Sequence, residues 1–318
     1  MSASRVARGV TPGSAAISAD VVVRHPIAPF VCVAACIFVQ AALIAPGDVL
    51  AGDAADAVLV FLLLQAAPRP IGRNAQFSRA RAAILALVLV PLIRVVGLAL
   101  PLRDGSGAAG VLSVAILIGG AALGLAPAVG LSRRTLLPTG LARSQLPTVL
   151  VGLVLGVFAY LLGAPSLWSS GAPSPQVMLA VLAAACAAVV EEIVFRGVVQ
   201  LTLQRVALVT GMLASSALFA ATYLESYSGP LILAYALAGL MFARSVARTG
   251  ALGAPVVGHI LLVLGAGALW PTLFGRVHPS PIFESCSTIA LVLAVAVMTV
   301  ISIVRPLQPP SGDGVDLS

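Results

Sequence analysis

Long stretches of apolar residues dominate the sequence and restrict the folds that are open to it. About 20 apolar residues in a helix cross the hydrocarbon core of a bilayer. By this length the sequence predicts an all-α, polytopic transmembrane helix bundle of about 8–10 spans. Segment 175–203 is longer than one span needs, so we expect its last turns to leave the membrane or to break. Ten candidate spans are 27–46, 50–68, 82–101, 109–130, 147–164, 175–203, 207–224, 229–243, 252–273 and 284–304.

The amino-acid composition supports a membrane protein. Of the 318 residues, 60% are apolar and 9% are charged, whereas a soluble domain carries about 25% charged residues. A soluble fold of this length could not bury so much apolar surface. The net charge is +7, but the basic residues are all Arg and lie in short loops between apolar stretches. This scattered distribution argues against nucleic-acid binding.

The arginines also predict an orientation in the membrane. With the N-terminus in the cytoplasm, 14 of the 18 Arg fall in cytoplasmic regions, Arg103 and Arg276 fall outside, and Arg94 and Arg196 lie within spans. Cytoplasmic loops are normally enriched in Arg and Lys. We therefore expect an integral membrane protein with both termini in the cytoplasm, and the use of Arg without any Lys indicates a bacterial plasma membrane. Pairs of small residues, Gly120/Gly124 and Gly152/Gly156, indicate close helix packing inside the bundle.

Charged residues inside spans are costly and mark candidate functional sites. Glu191, Glu192 and Arg196 lie together in V-V-E-E-I-V-F-R-G-V-V-Q. In a helix Arg196 lies one turn after Glu192 on the same face, whereas Glu191 points about 100° away. Arg196 can neutralise one carboxylate, and the other is suited to accept a proton from water. An ion pair that clamps two helices is the structural alternative, and the second Glu favours a functional site.

The stretch E-E-I-V-F-R-G-V-V-Q resembles the E-E-x-x-x-R signature of the CAAX prenyl protease and bacteriocin-processing family of intramembrane endopeptidases (the CPBP or Abi family). Two further stretches follow in the family's order. S-S-A-L-F-A-A-T-Y, which ends at Tyr223, is similar to the family's F-x-x-x-H motif, and A-P-V-V-G-H-I-L-L-V, which contains His259, is similar to its H-x-x-x-N motif. The chain has Tyr223 where the family has His, and Val263 where the family has Asn.

The resemblance implies a catalytic site. Glu191 would activate the water that attacks the scissile amide, with Glu192 and Arg196 as its support. His259 would be a polar partner, and Tyr223 could donate a hydrogen bond through its phenol. Glu191 and His259 are also candidate ligands for a divalent metal such as zinc, with Glu192 and Glu225 near them in the motifs. A zinc site usually needs three protein ligands.

The resemblance also predicts a function and its alternatives. The chain would be an intramembrane endopeptidase that cuts membrane-embedded or lipidated peptides or proteins. The departures at Tyr223 and Val263 equally suggest a catalytically impaired relative that binds membrane proteins as a regulator or immunity factor. An ion-coupled transporter that uses Glu191 and Glu192 is the third hypothesis. Transporters often contain inverted repeats, and the sequence has no evident repeat.

Composition and motifs together divide the chain into five expected regions. The ends carry polar or Pro-rich segments, whereas the motifs fall in the second half of the chain. The regions are a disordered cytoplasmic N-terminus at 1–24, N-terminal transmembrane segments at 25–146, a CPBP/Abi-like intramembrane protease core at 147–273, a final transmembrane helix at 274–305 and a flexible tail at 306–318.

Overall fold

The structure, a computed structural model, describes the second half of the chain in detail. The described residues are 145–164, 166, 175–204, 207–223 and 229–304, together with the isolated positions 58, 116 and 118–120. The first four predicted spans, Gly124 and Glu225 therefore lie outside the described residues, apart from those isolated positions. In the described part every regular element is a helix, and no strand occurs there. This confirms the all-α prediction.

The helices are α1 (Leu146–Leu161), α2 (Pro175–Glu192), a π-helical segment π1 (Ile193–Gln200), α3 (Leu201–Gln204), α4 (Leu208–Ala221), α5 (Gly229–Thr249), α6 (Gly253–Leu264), a second π-helical segment π2 (Gly265–Leu269), α7 (Trp270–Phe274) and α8 (Pro281–Val304). They correspond in order to the last six predicted spans.

Four helical stretches in the described part are long and apolar enough to cross a membrane. They are Met178–Gln200, Gly229–Thr249, Gly253–Phe274 and Pro281–Val304. Leu146–Leu161 and Leu208–Ala221 are apolar but shorter. Helix α1 ends before the predicted residue 164 because Gly163 has a φ of 78°, in the left-handed region that stops an α-helix. These helices confirm a polytopic transmembrane bundle.

The helix that carries the glutamate pair is continuous. Of the two outcomes expected for the last turns of segment 175–203, a break is not seen in the described residues, because α2 passes directly into π1 and then into α3. All eight residues of π1 are buried, and Leu203 in α3 is only 1% exposed. π-Helical turns inside α-helices are frequent at functional sites. Here the π segment begins immediately after Glu192.

Helix α8 shows where lipid meets the bundle. Its 18-residue apolar window is only 17% buried by protein. Large apolar side chains on α8 are accordingly exposed, and a soluble surface would not carry so many together. The exposed residues include Ile289, Val292, Leu293, Val297, Val300 and Ile303.

Glycines bring α1 and α6 into backbone contact. A Cβ atom on Gly152 would collide with the backbone of Gly258, and one on Gly156 would lie 3.0 Å from the carbonyl oxygen of Leu261. Thr148 on α1 also donates a hydrogen bond to Ser245 on α5 at 2.9 Å. The predicted packing role of Gly152 and Gly156 is confirmed. This contact fixes the part of α6 that carries His259.

The close approach of the two backbones at Gly152 predicts that adding a single methyl group there destabilises the fold. We expect Gly152→Ala to lower the free energy of unfolding by about 3 kcal/mol, because the new Cβ meets rigid backbone rather than a movable side chain. Gly120→Ala is the control, since nothing lies within 4 Å of a Cβ there. It should be neutral or stabilising by up to about 1 kcal/mol. Equilibrium unfolding in detergent micelles measures both, and equal effects would contradict the packing argument.

Candidate active site

Three helical stretches bring the predicted site residues together inside the bundle. Glu191 and Glu192 end α2, Tyr223 follows the last turn of α4, and His259 lies in α6. Arg196 follows in π1. The side chains of Glu192, Arg196 and His259 are fully buried, whereas the side chain of Glu191 is 26% exposed. The structure thus separates two adjacent glutamates into a buried one and an accessible one.

Glu191, Tyr223 and His259 converge on one point. The phenol of Tyr223 donates a hydrogen bond to Oε2 of Glu191 at 2.6 Å. The same phenolic oxygen lies 3.4 Å from Nε2 of His259, and Nε2 lies 3.8 Å from Oε2 of Glu191. A short O–H···O⁻ contact of this kind is a charge-assisted hydrogen bond. Three polar groups from three helical stretches therefore meet beside the accessible glutamate.

Glu192 holds the other side of the same histidine. Its Oε1 lies 3.0 Å from Nδ1 of His259 and 3.2 Å from Nη1 of Arg196. A carboxylate can only accept hydrogen bonds, so Nδ1 carries the hydrogen in the neutral ring and Nε2 keeps its lone pair. Glu192 therefore fixes both the tautomer and the orientation of His259. Nε2 then faces Tyr223 and Glu191 as an acceptor.

Aromatic rings surround the buried guanidinium of Arg196. Its central carbon lies 4.1 Å from the ring centroid of Phe219 and 5.9 Å from that of Phe242. No N–H group of Arg196 forms a hydrogen bond of good geometry with a described residue. Arg196 is instead stabilised by its ion pair with Glu192 and by its cation–π contact with Phe219. Gly239 makes room for both groups, since a Cβ there would lie 3.3 Å from Nη2 of Arg196 and 3.2 Å from Phe219.

A stacked ring restrains Tyr223. Tyr235 of α5 stacks on Tyr223 with ring centroids 4.1 Å apart and an interplanar angle of 27°. Phe219 meets Tyr223 and His259 edge-on at centroid distances of 5.3 and 5.2 Å. Tyr235, Phe242 and Gly239 were not predicted as site residues. The only sequence signal for Tyr235 is that it is one of four tyrosines and lies inside an apolar span.

Position 263 contributes no polar group. Val263 lies one turn after His259 on α6 and is half-buried against the central hydrophobic core. A valine side chain cannot donate or accept a hydrogen bond. Among the described residues, the donor to Glu191 is therefore the phenol of Tyr223.

The described residues do not supply a usual zinc site. They contain no group of three His, Cys, Asp or Glu side chains placed to hold a metal ion. Nδ1 of His259 is engaged by Glu192, which leaves Glu191 and Nε2 of His259 as two candidate ligands, one fewer than the usual three. Glu225 lies outside the described residues. The mechanism proposed for this site therefore uses the protein side chains and water.

Comparison with known families identifies one match. Residues 173–265 match the family model described as type II CAAX prenyl endopeptidase, Rce1-like. The matched region contains the glutamate pair, Arg196, Tyr223 and His259, so the resemblance drawn from the three short motifs is confirmed. No curated protein and no solved structure matches the chain.

Because the ion pair is buried, we expect substitutions of its two members to have non-additive effects on the free energy of unfolding. We expect Arg196→Met to lower the free energy of unfolding by about 3–5 kcal/mol, because it leaves the carboxylate of Glu192 buried without its cation. Adding Glu192→Gln to this variant should recover part of the loss, since the amide carries no charge and its oxygen can still accept from His259. Equilibrium unfolding of the wild type, the two single variants and the double variant in detergent micelles gives the coupling free energy of this double-mutant cycle. Arg248→Met, at an exposed Arg, should change stability by less than about 0.5 kcal/mol, and simple additivity of the two site changes would contradict the coupling.

Proposed function

We propose that this chain is an intramembrane endopeptidase of the CAAX prenyl type, which hydrolyses an amide bond in a membrane-embedded or lipidated peptide. The observation that carries the proposal is the contact of Glu191 with Tyr223 beside His259, within a region that matches the endopeptidase family. Glu191 is the accessible carboxylate of the cluster, so it is the group that can meet both water and substrate. Four helical stretches long and apolar enough to span a membrane support a site within the bilayer.

In the proposed mechanism Glu191 is the general base. It takes a proton from water while the water oxygen forms a bond to the carbonyl carbon of the substrate. His259 orients the water through the lone pair on Nε2, which Glu192 keeps directed at this point. The C–N bond then breaks, and the proton held by Glu191 passes to the leaving nitrogen. Water and peptide are thus converted to an acid and an amine, with no other reactant.

Tyr223 has a second role in this mechanism. In the structure its single O–H is donated to Glu191. Once Glu191 has taken the proton it is a weaker acceptor, and the phenol can donate to the oxyanion instead. An oxyanion donor contributes about two to three orders of magnitude in rate. With Val263 in place of the family's Asn, one such donor is missing, so we expect slow turnover.

A catalytically impaired relative is the second candidate function. The observation that favours it is the 2.6 Å hydrogen bond, which engages Oε2 of Glu191 before any substrate binds, together with the apolar side chain at Val263. In this alternative the site around Glu191 binds a membrane peptide without cutting it. The chain would then act as a regulator or immunity factor.

The proposal extends to localisation and chain organisation. We propose a bacterial plasma membrane with both termini in the cytoplasm, on the basis of the arginine distribution. We also propose a functional core at 147–273. Its support is the backbone contact between Gly152 and Gly258, which joins α1 to the region matched by the family model, and α8 then corresponds to the expected final helix.

Replacing the base tests the proposal directly. The purified chain in bilayer nanodiscs is offered lipidated and unlipidated membrane peptides, and fragments are identified by mass spectrometry. We expect Glu191→Gln to reduce kcat about 1,000-fold or more, within the range for loss of a general base. Glu284→Gln, at an exposed acid in the first turn of α8, is the control and should keep full activity. Absence of cleavage by the wild type would reject the endopeptidase in favour of the impaired relative.

Restoring the family pattern separates the two candidates further. If the chain is an active but slow enzyme, Val263→Asn should raise kcat up to about 100-fold, and Tyr223→Phe should lower it by a similar factor with little change in KM. If the chain is impaired, the wild type and Tyr223→Phe are equally inactive and should bind peptide equally. Cleavage that appears only after Tyr223→His and Val263→Asn are combined would place the defect in these two positions.

A further inference from the structure

A cavity lies beside the end of α1 and the start of α7, away from the glutamate pair. Its volume is about 310 Å³. It opens between the end of α1, the start of α7 and the segment that follows α7, and its lining includes Tyr160, Ser166, Pro271, Arg276 and His278. Pro271 lies twelve residues after His259 on one helical stretch, which is roughly 18 Å along the axis. The cavity is therefore separate from the candidate active site.

The cavity is cationic. Arg276 and His278 both line it, and no acidic side chain does so among the described residues. Arg276 presents a planar fork of donors that matches the oxygens of a phosphate. His278 offers a ring N–H in every protonation state. A ligand of this cavity would therefore carry negative charge on oxygen.

The walls of the cavity are held in place by hydrogen bonds. The phenol of Tyr160 donates to the carbonyl oxygen of Gly275 at 2.9 Å, and Gly275 adopts a φ of 77° that directs the chain away from α7 toward Arg276. Ser166 donates to the carbonyl oxygen of Gly267 at 3.4 Å. The segment that carries Arg276 is thus tied to α1.

Apolar residues beside the cavity indicate which anion occupies it. On α7, next to the lining residue Pro271, the side chains of Leu273 and Phe274 are 60% and 71% exposed. Trp270 stacks on Phe274 with ring centroids 6.2 Å apart. Aromatic side chains concentrate where a membrane protein passes the lipid headgroups. The cationic cavity therefore adjoins an apolar surface at an end of the bundle, as the headgroup and chains of one lipid require.

We propose that this cavity binds the phosphate group of an anionic phospholipid. Arg276 and His278 contact the phosphate oxygens, and the acyl chains lie along Leu273 and Phe274. A free phosphate shares the charged contacts but leaves the apolar surface unused. The arginine distribution predicts that Arg276 lies outside, so the bound lipid belongs to the outer leaflet.

Competition between lipids tests the proposal on the full chain. The protein is reconstituted in nanodiscs with equal amounts of phosphatidylglycerol and phosphatidylcholine, and retained lipids are counted by native mass spectrometry. We expect the wild type to retain phosphatidylglycerol preferentially. Arg276→Ala should weaken that retention about fivefold, the effect of one cation at a membrane surface. Arg248→Ala is the matched control, because it removes one exposed Arg at the end of α5 rather than at the cavity.

The other outcomes overturn the proposal in distinct ways. Equal losses in Arg276→Ala and Arg248→Ala would mean that net charge alone attracts the lipid. Unchanged retention in Arg276→Ala would remove the cavity as the site. Release of phosphatidylglycerol by excess inorganic phosphate, with no weakening by Phe274→Ser, would identify a free-phosphate site rather than a lipid site. Both Arg276 and Phe274 are exposed, so matching thermal unfolding of the variants checks that the fold is intact.

Discussion

The ion pair between Glu192 and Arg196 lies fully buried among helices whose other side chains are mostly apolar. Charges in such surroundings persist only when they are paired and contacted by polarisable or polar groups. The neighbouring packing satisfies this requirement, with Phe219 beneath the guanidinium, Gly239 leaving space for it and His259 bonded to the carboxylate. The pair thus connects π1, which packs against α4 and α5, to His259 on α6 through the carboxylate of Glu192.

Two chemically identical neighbours acquire different roles from this arrangement. Glu192 has its Oε1 shared between Arg196 and His259 and no access to solvent, so it is a positioning group. Glu191 is directed away from Arg196 by the helical rotation of about 100° and reaches the phenol of Tyr223 instead. Its partial exposure leaves it able to exchange protons. The environment, rather than the residue type, separates the proposed base from its proposed support.

Local periodicity explains which parts of this structure the sequence could predict. The contact between Glu192 and Arg196 follows from four-residue spacing in a helix, and the last six helices follow from apolar length. The end of α5 did not follow, because hydropathy drops at Arg244, whereas the helix continues to Thr249 and stops at Gly250, which has a φ of 67°. The π segment and the stacking of Tyr235 on Tyr223 depend on contacts between helices, for which a single sequence carries no local signal.

A Tyr stands at position 223 where the family motif has His, and this difference changes the chemistry that the side chain can perform. A phenol at position 223 reaches Glu191 as a hydrogen-bond donor, but at neutral pH it has little capacity to accept a proton. Stacking against Tyr235 also restricts its movement. In the proposed mechanism proton transfer therefore falls to Glu191, with Nε2 of His259 as the other nearby proton acceptor among the described side chains. Any hydrolysis here requires one carboxylate both to take the proton from water and to deliver it to the leaving nitrogen. The restrained phenol of Tyr223 limits where the oxyanion can form.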